Sequence, residues 1–347
     1  MVTSIYQKLN KTRKARPEKR DPESDVPPMP GKTSAATSPP YIAAGVIGLG
    51  IMGSAMSANL VKAGFAVHGF DPAPAARARL KRAGGHPCRN AAEVAARCRF
   101  IVLSLPSEEA LAEVCAQLIA SGRRECIVAE TSTLPLVAKE RARKRLKPHG
   151  VILLDCPLSG TGAQAVTRDL AVYASGDAGA IRDFSVVFDG FARVRYNVGR
   201  FGNGIRMKLV ANLLVAIHNV AAAEAILMGV RCGLDAAQIV RVVADGAGGS
   251  RMLQVRGPMM VERTWNQATM KVSTWQKDMR LIGEALAASD TPAPLFAATI
   301  PIYNAAMALG HGGDDTGAVY AVLERLTGTA APAKIVKTAR RGAGRTR

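Results

Sequence analysis

A chain of 347 residues with 48% hydrophobic and only 5% aromatic content is too long for one small core and too apolar to be disordered, so about two globular domains are expected. Its formal net charge of +19 resembles that of a polyanion binder, yet ten of those charges sit at the ends: residues 1–40 hold eight Lys/Arg against four Asp/Glu, and residues 331–347 hold six with no acid. The six cysteines form no C-x-x-C pair and the five histidines are dispersed, which argues for reduced, buried thiols and against a metal site.

Residues 1–40 are rich in Pro, Ser and charge and are predicted to be a disordered leader. They contain no apolar h-region, and Glu18, Asp21, Glu23 and Asp25 interrupt the basic stretch, so neither a signal nor a transit peptide is expected and the chain reads as cytoplasmic. From residue 42 onward short apolar runs alternate with helical patterns. In GVIGLGIMG, Gly48, Gly50 and Gly53 fall at G-x-G-x-x-G spacing between a strand-like run (42–47) and a helix-forming run. The first glycine permits a tight turn, the second lets backbone approach a pyrophosphate, and the third lets helix and strand pack closely. Leu49, Ile51 and Met52 complete that loop, and Asp71 follows a second strand, eighteen residues after Gly53, where an acid can hold the adenine ribose.

Strands are predicted at 42–47, 65–70, 100–105, 126–130 and 151–154, with helices around 52–63, 73–83, 91–97, 108–120 and 135–147. This alternation predicts an α/β Rossmann domain over 41–204, with a doubly wound, mostly parallel sheet. Runs at 170–174 and 194–198 complete it. Thereafter helices are predicted at 205–231, 235–246, 277–288, 294–309 and 315–327, giving an all-helical domain over 205–328 joined through the long first helix, and then a disordered basic tail (329–347). The apolar stretch from Ile205 to Val230 is broken by Arg206, Lys208, Asn212, His218, Asn219 and Glu224, the pattern of a buried helix and not of a membrane span.

Three constellations can carry chemistry. In DCPLSGTGA (155–163), Ser159 and Gly160 offer a hydroxyl and open backbone N–H groups to a carboxylate, or else simply make a turn. In GNGIRMKLVAN (202–212), Lys208 and Asn212 stand four apart on one helix face. A lysine there can exchange a proton with a carbonyl oxygen, with its pKa lowered by burial; alternatively it snorkels to solvent near the helix end. In WQKDMRLIGEAL (275–286), Lys277 and Asp278 open a helix, where Asp278 can favour the N-terminus and Lys277 can be solvated.

With the glycine loop, these motifs resemble the β-hydroxyacid dehydrogenase family, which includes 3-hydroxyisobutyrate dehydrogenase, tartronate semialdehyde reductase and glyoxylate/succinic semialdehyde reductase. The resemblance spans roughly 44–328 and rests on GLGIMG, LP, STL, D-x-P-x-SG, G-x-G-x-x-x-K-x-x-x-N and KD in that order. It implies an NAD(P)-dependent oxidoreductase acting on a small 3-hydroxy or 2-hydroxy carboxylate, with a helical domain that mediates homodimers or homotetramers. By position it implies Lys208 as catalyst, Asn212 as substrate contact, Ser159 and Gly160 as carboxylate binders with Thr161 beside them, and Asp278 at the substrate pocket. Leu105, Pro106, Thr133 and Lys277 match cofactor-contacting positions. The chain departs from the family's usual SGG at Thr161, and Gln164, Arg168 and Asp169 replace small residues downstream, which bears on the substrate. Asp71 favours NAD, while Arg77 and Arg79 keep NADP as the alternative. Rival readings are an imine reductase, which often lacks a lysine at the position of Lys208, and a 6-phosphogluconate-type dehydrogenase, whose further phosphate-binding residues are not located. A non-catalytic nucleotide-binding scaffold with nucleic-acid-binding tails is the rival outside enzymology, and the Lys208/Asn212 pair weighs against it.

Overall fold

Strand β1 (Ala43–Ile47) begins the described part of the chain, residues 42–328 of the computed structural model, and is buried from Ala44 onward. The expected leader and basic tail lie outside those residues. Alternation then runs through α1 (Ile51–Lys62), β2 (Ala66–Phe70), α2 (Pro74–Arg82), β3 (His86–Pro87), α3 (Ala91–Arg97), β4 (Phe100–Leu103), α4 (Glu108–Ala120), β5 (Ile127–Glu130), α5 (Leu136–Leu146) and β6 (Ile152–Asp155). All six strands are parallel, in the order β3-β2-β1-β4-β5-β6. The sequences FIVL of β4 and IVAE of β5 are buried throughout because helices cover both faces of the sheet. Two apolar cores result, and α3, α4 and α5 enclose the second. Strand order reverses between β1 and β4, which leaves a crevice beyond their carboxyl ends.

After β6 the chain forms β7 (Leu158–Ser159), α6 (Gly162–Val166), β8 (Ala171–Ala174), α7 (Ala178–Phe191) and β9 (Val194–Asn197). The runs at 170–174 and 194–198 do not extend the main sheet. They pair in parallel with each other, and β7 joins antiparallel, in a separate three-stranded sheet. Reciprocal backbone bonds between Asp155 and Ser175 fasten that sheet to the end of β6. Helix α7, which periodicity did not reveal, buries Ile181, Phe184, Val187, Phe188 and Phe191 in the first core.

The remainder is helical: α8 (Asn203–Arg231), α9 (Ala236–Asp245), α10 (Arg251–Glu262), α11 (Val272–Ala288), α12 (Pro294–Ala308) and α13 (Val319–Leu326). By length and composition α8 could cross a membrane. Instead it contributes Ala216, Val220, Ala223 and Ile226 to a third core, shared with α9 to α13. Two expectations need correction. Helix α11 begins at Val272, so Lys277 and Asp278 lie in its second turn and Asp278 is no N-terminal charge. Cys232, just past α8, is exposed, unlike the five other free cysteines, because it stands at the helix end where packing stops.

Candidate active site

The turn between β1 and α1 is built by contact. A Cβ on Gly48, whose φ is +89°, would lie 2.1 Å from the Ser104 carbonyl oxygen, and one on Gly53 would lie 1.8 Å from the Gly48 carbonyl oxygen. No side chain fits at either position. At exposed Gly50 the same test meets nothing within 4 Å, so the loop is open at its tip. Helix α1 starts there without a side-chain cap and without an acid in its first turn, whereas α3, α4 and α7 are capped by Asn90, Ser107 and Asp177. The first N–H groups of α1, at Ile51, Met52 and Gly53, therefore present the positive end of the helix to an anion. Leu49 is buried, and its N–H donates to Asp71 Oδ2 at 2.8 Å, which fixes the acid beside the loop. Arg77 donates to the carbonyls of Asp71 and Pro72, and Arg79 to that of Leu49. An open anion cradle flanked by a carboxylate fits a pyrophosphate with its ribose diol.

Across the crevice, Leu105 and exposed Pro106 follow β4, and Thr133 follows β5. Ser132, which sequence reasoning passed over, joins the two loops: its Oγ accepts from the Leu105 N–H at 2.7 Å, and its own N–H donates to Glu130. Lys277 reaches from α11 and donates to the Thr133 carbonyl at 2.7 Å. A residue of the helical part thus closes over the loop that the sheet supplies.

The residues expected on the substrate side come from three elements. Ser159 and Gly160 stand half-buried at the end of β7. Thr161 is differently engaged: its N–H donates to Gln164 Oε1 and its hydroxyl accepts from the Gln164 N–H, the capping box of α6. Its polar groups face the helix they cap, and Gln164, a departure from the family pattern, causes that. Gln164 in turn donates to Asp169, which also pairs with Arg193 and, on α10, with Arg251. Arg168, the third departure, donates to the Asp189 carbonyl. Lys208 and Asn212 occupy the second and third turns of α8, and Asn212 Nδ2 donates to Asp278 Oδ2 at 2.9 Å.

Lys208 is 9% exposed and makes no hydrogen bond or ion pair with the other described residues, so it does not snorkel. Burial lowers its pKa and Lys277 adds to that, while Asp278 opposes it. Burial pushes the Asp278 carboxyl up, against the pull of Lys277, Lys208 and the Asn212 hydrogen bond. A lysine with a depressed pKa and a free Nζ, beside a carboxyl with a raised one, is an arrangement suited to moving a proton.

Known proteins resemble this chain over nearly all of its described length. Residues 43–200 match the profile of the NAD binding domain of 6-phosphogluconate dehydrogenase, and residues 202–323 that of the NAD-binding region of NADP-dependent 3-hydroxyisobutyrate dehydrogenase. The chain is 33% identical over 279 residues to L-threonate dehydrogenase of Cupriavidus necator, covering 79% of this chain and 94% of that one. It is 31% identical to a probable 3-hydroxyisobutyrate dehydrogenase of Mycobacterium bovis, covering 79% and 95%. The solved structure of Mycobacterium tuberculosis 3-hydroxyisobutyrate dehydrogenase with L-serine superposes with a TM-score of 0.73 at 28% identity, covering 82% and 99%. Fold and matches together define an oxidoreductase that uses NAD(P). Within that class the chain belongs to the β-hydroxyacid dehydrogenase family.

Proposed function

We propose that this protein interconverts a small 3-hydroxy or 2-hydroxy carboxylate and its semialdehyde or keto acid, with Lys208 as general acid and base. The observation that carries the reading is a buried lysine whose Nζ has no partner among the described residues, one helical turn from an asparagine held by Asp278. When bound, NAD(P) supplies the hydride acceptor or donor. Lys208 Nζ takes the substrate's hydroxyl proton in oxidation and returns it to the carbonyl oxygen in reduction. Ser159 and the Gly160 N–H hold the carboxylate, and Asn212 fixes the hydroxyl. The segment 41–204 holds the dinucleotide, and 205–328 supplies the proton relay and the contacts between subunits.

Asp71 supports NAD over NADP, because a carboxylate accepts ribose hydroxyls and repels a 2′-phosphate. Met207, Val210 and Leu214 form an exposed apolar stripe at helical spacing on α8, which supports a homodimer or homotetramer; light scattering on the purified chain tests that. The activity test is nicotinamide reduction with NAD and NADP over short hydroxy acids, starting from L-threonate and 3-hydroxyisobutyrate, which the relatives' names suggest. Turnover that vanishes in Lys208→Ala while cofactor binding persists supports the reading; a Lys208→Ala enzyme that still turns over sinks the role of the lysine.

A further inference from the structure

The start of α8 is held in an unusual way. Its N-cap position is Gly202, which has φ +94° and no side chain to offer the first turn. Two N–H groups of that turn are satisfied from the sheet instead. Ile205 N–H donates to Asp155 Oδ2 at 2.9 Å, and Gly204 N–H donates to Ser175 Oγ at 3.0 Å. The Ser175 hydroxyl lies 3.1 Å from the same Asp155 oxygen. The approach is tight: a Cβ on Gly204 would come within 2.5 Å of the Asp155 carbonyl oxygen and 2.9 Å of its Oδ2. Asp155 is fully buried, and its other oxygen lies 2.7 Å from the Nζ of Lys139, which is itself 2.7 Å from Glu130 Oε2. Glu130 also accepts the N–H of Ser132, in the loop that carries Thr133.

From this network we infer that Asp155 is a positioning residue: it seats the first turn of α8 on the end of β6 and so fixes the place of Lys208, one turn further on. Lys139 supplies the positive charge that the buried acceptor faces, 2.7 Å from its other oxygen. An anion at the positive end of α8 is favourable, and the same residue stands four positions ahead of Ser159 in sequence. Asp155 therefore roots both the carboxylate loop and the lysine-bearing helix. The inference rests on the assignment of Lys208 as proton carrier, whose geometry Asp155 would set.

The test uses the full chain and three variants, Asp155→Ala, Asp155→Asn and Ser175→Ala, with Lys208→Ala as control. Two readouts are taken. One is the pH dependence of Lys208 modification by trinitrobenzenesulfonate, quantified on the Lys208 peptide by mass spectrometry; it needs no substrate. The other is kcat and KM for whichever hydroxy acid turns over. In Asp155→Ala the modification midpoint should move up toward that of an ordinary lysine, as the helix end lifts and Lys208 hydrates. Its kcat should fall at least tenfold, with KM within threefold and cofactor affinity retained. Asp155→Asn keeps an acceptor for Ile205 N–H and should lose less than fivefold; Ser175→Ala should fall between the two. A folded, cofactor-binding Asp155→Ala with midpoint and kcat within twofold of the parent overturns the inference. Should Asp155→Ala fail to fold, an unchanged midpoint and kcat in both milder variants overturns it equally. Activity that survives in Lys208→Ala refutes the proton-carrier assignment instead, while the modification midpoints still decide whether Asp155 places the lysine.

Discussion

Asn212 on α8 donates to Asp278 on α11 at 2.9 Å, and the second oxygen of Asp278 lies 3.8 Å from Lys277. One carboxyl thus faces the Asn212 amide and the Lys277 ammonium at once. Its negative charge is also the influence that opposes the burial-driven lowering of the Lys208 pKa. In the proposed role Lys208 must be unprotonated for oxidation, so the rate should rise as pH climbs through its pKa. In Asp278→Asn the opposing charge is gone, and the rise should move to lower pH. A pH–rate profile of hydroxy-acid oxidation checks this; a rise displaced to higher pH would rule out Asp278 as the group that holds Lys208 up.

Asp71 is fixed by Leu49 N–H at 2.8 Å and by Ala73 N–H at 2.8 Å, which leaves carboxylate lone pairs for a ribose diol. Asp71→Ser removes charge-assisted hydrogen bonds worth about 1.5–3 kcal/mol. The KM for NAD should rise by about 10–100-fold. The KM for NADP should change far less, since Arg77 and Arg79 remain beside the site. Initial-rate kinetics with both cofactors measure the ratio, and an unaltered preference would show that Asp71 only shapes the loop.

The fold was largely legible because its signals are local. Buried strands such as FIVL and the glycine loop announce themselves, and Asn90 and Ser107 mark helix starts. Helices α7 and α10 escaped for different reasons. In α7, Gly179 and Gly190 weaken the helical pattern, and in α10, Gly257 and Pro258 break it, although tertiary packing sustains both. Helix α11 starts five residues before the expected 277, through Ser273 and Thr274, whose helix propensity is low. At the site, Lys208 and Asn212 could be read from helical spacing. Lys139 could not: it lies in LVAKERARKRL, where any lysine looks solvated, and only the packing of β5 against β6 brings two carboxylates to it. Thr161 was expected beside the carboxylate binders, and its engagement with Gln164 became visible only with the capping box.

Gly53 offers a sharper test of the cofactor loop. Its hypothetical Cβ overlaps a backbone oxygen, which cannot swing aside as a side chain can. Gly53→Ala should therefore displace the first turn of α1 and abolish cofactor binding, while the helical part keeps its structure. Without binding, the thermal stabilisation that saturating cofactor gives the parent, about 2.7 kcal/mol at a hundredfold excess over Kd, should disappear. Melts with and without NAD measure it, and a variant stabilised as much as the parent would contradict the tight-turn reading.

Lys139 is a case where stability and pH are linked. Burial disfavours its charge, but Glu130 and Asp155 outweigh that and hold its pKa above the ordinary 10.5. A base whose pKa is raised by folding contributes stability that is full below its unfolded value and is lost as pH climbs through the folded one. The parent should therefore lose this contribution only in strongly alkaline solution, above about pH 10.5. Lys139→Met keeps the volume but strands two buried carboxylates. At neutral pH that should cost about 3–5 kcal/mol, the usual penalty for breaking a buried pair from one side. The deficit should shrink as pH falls, because a proton can then replace the missing ammonium on one of the two carboxylates. Urea melts of parent and variant at pH 7 and pH 5 compare the two. A loss below about 1 kcal/mol, or one that grows on acidification, would mean that water or another cation already shields Glu130 and Asp155.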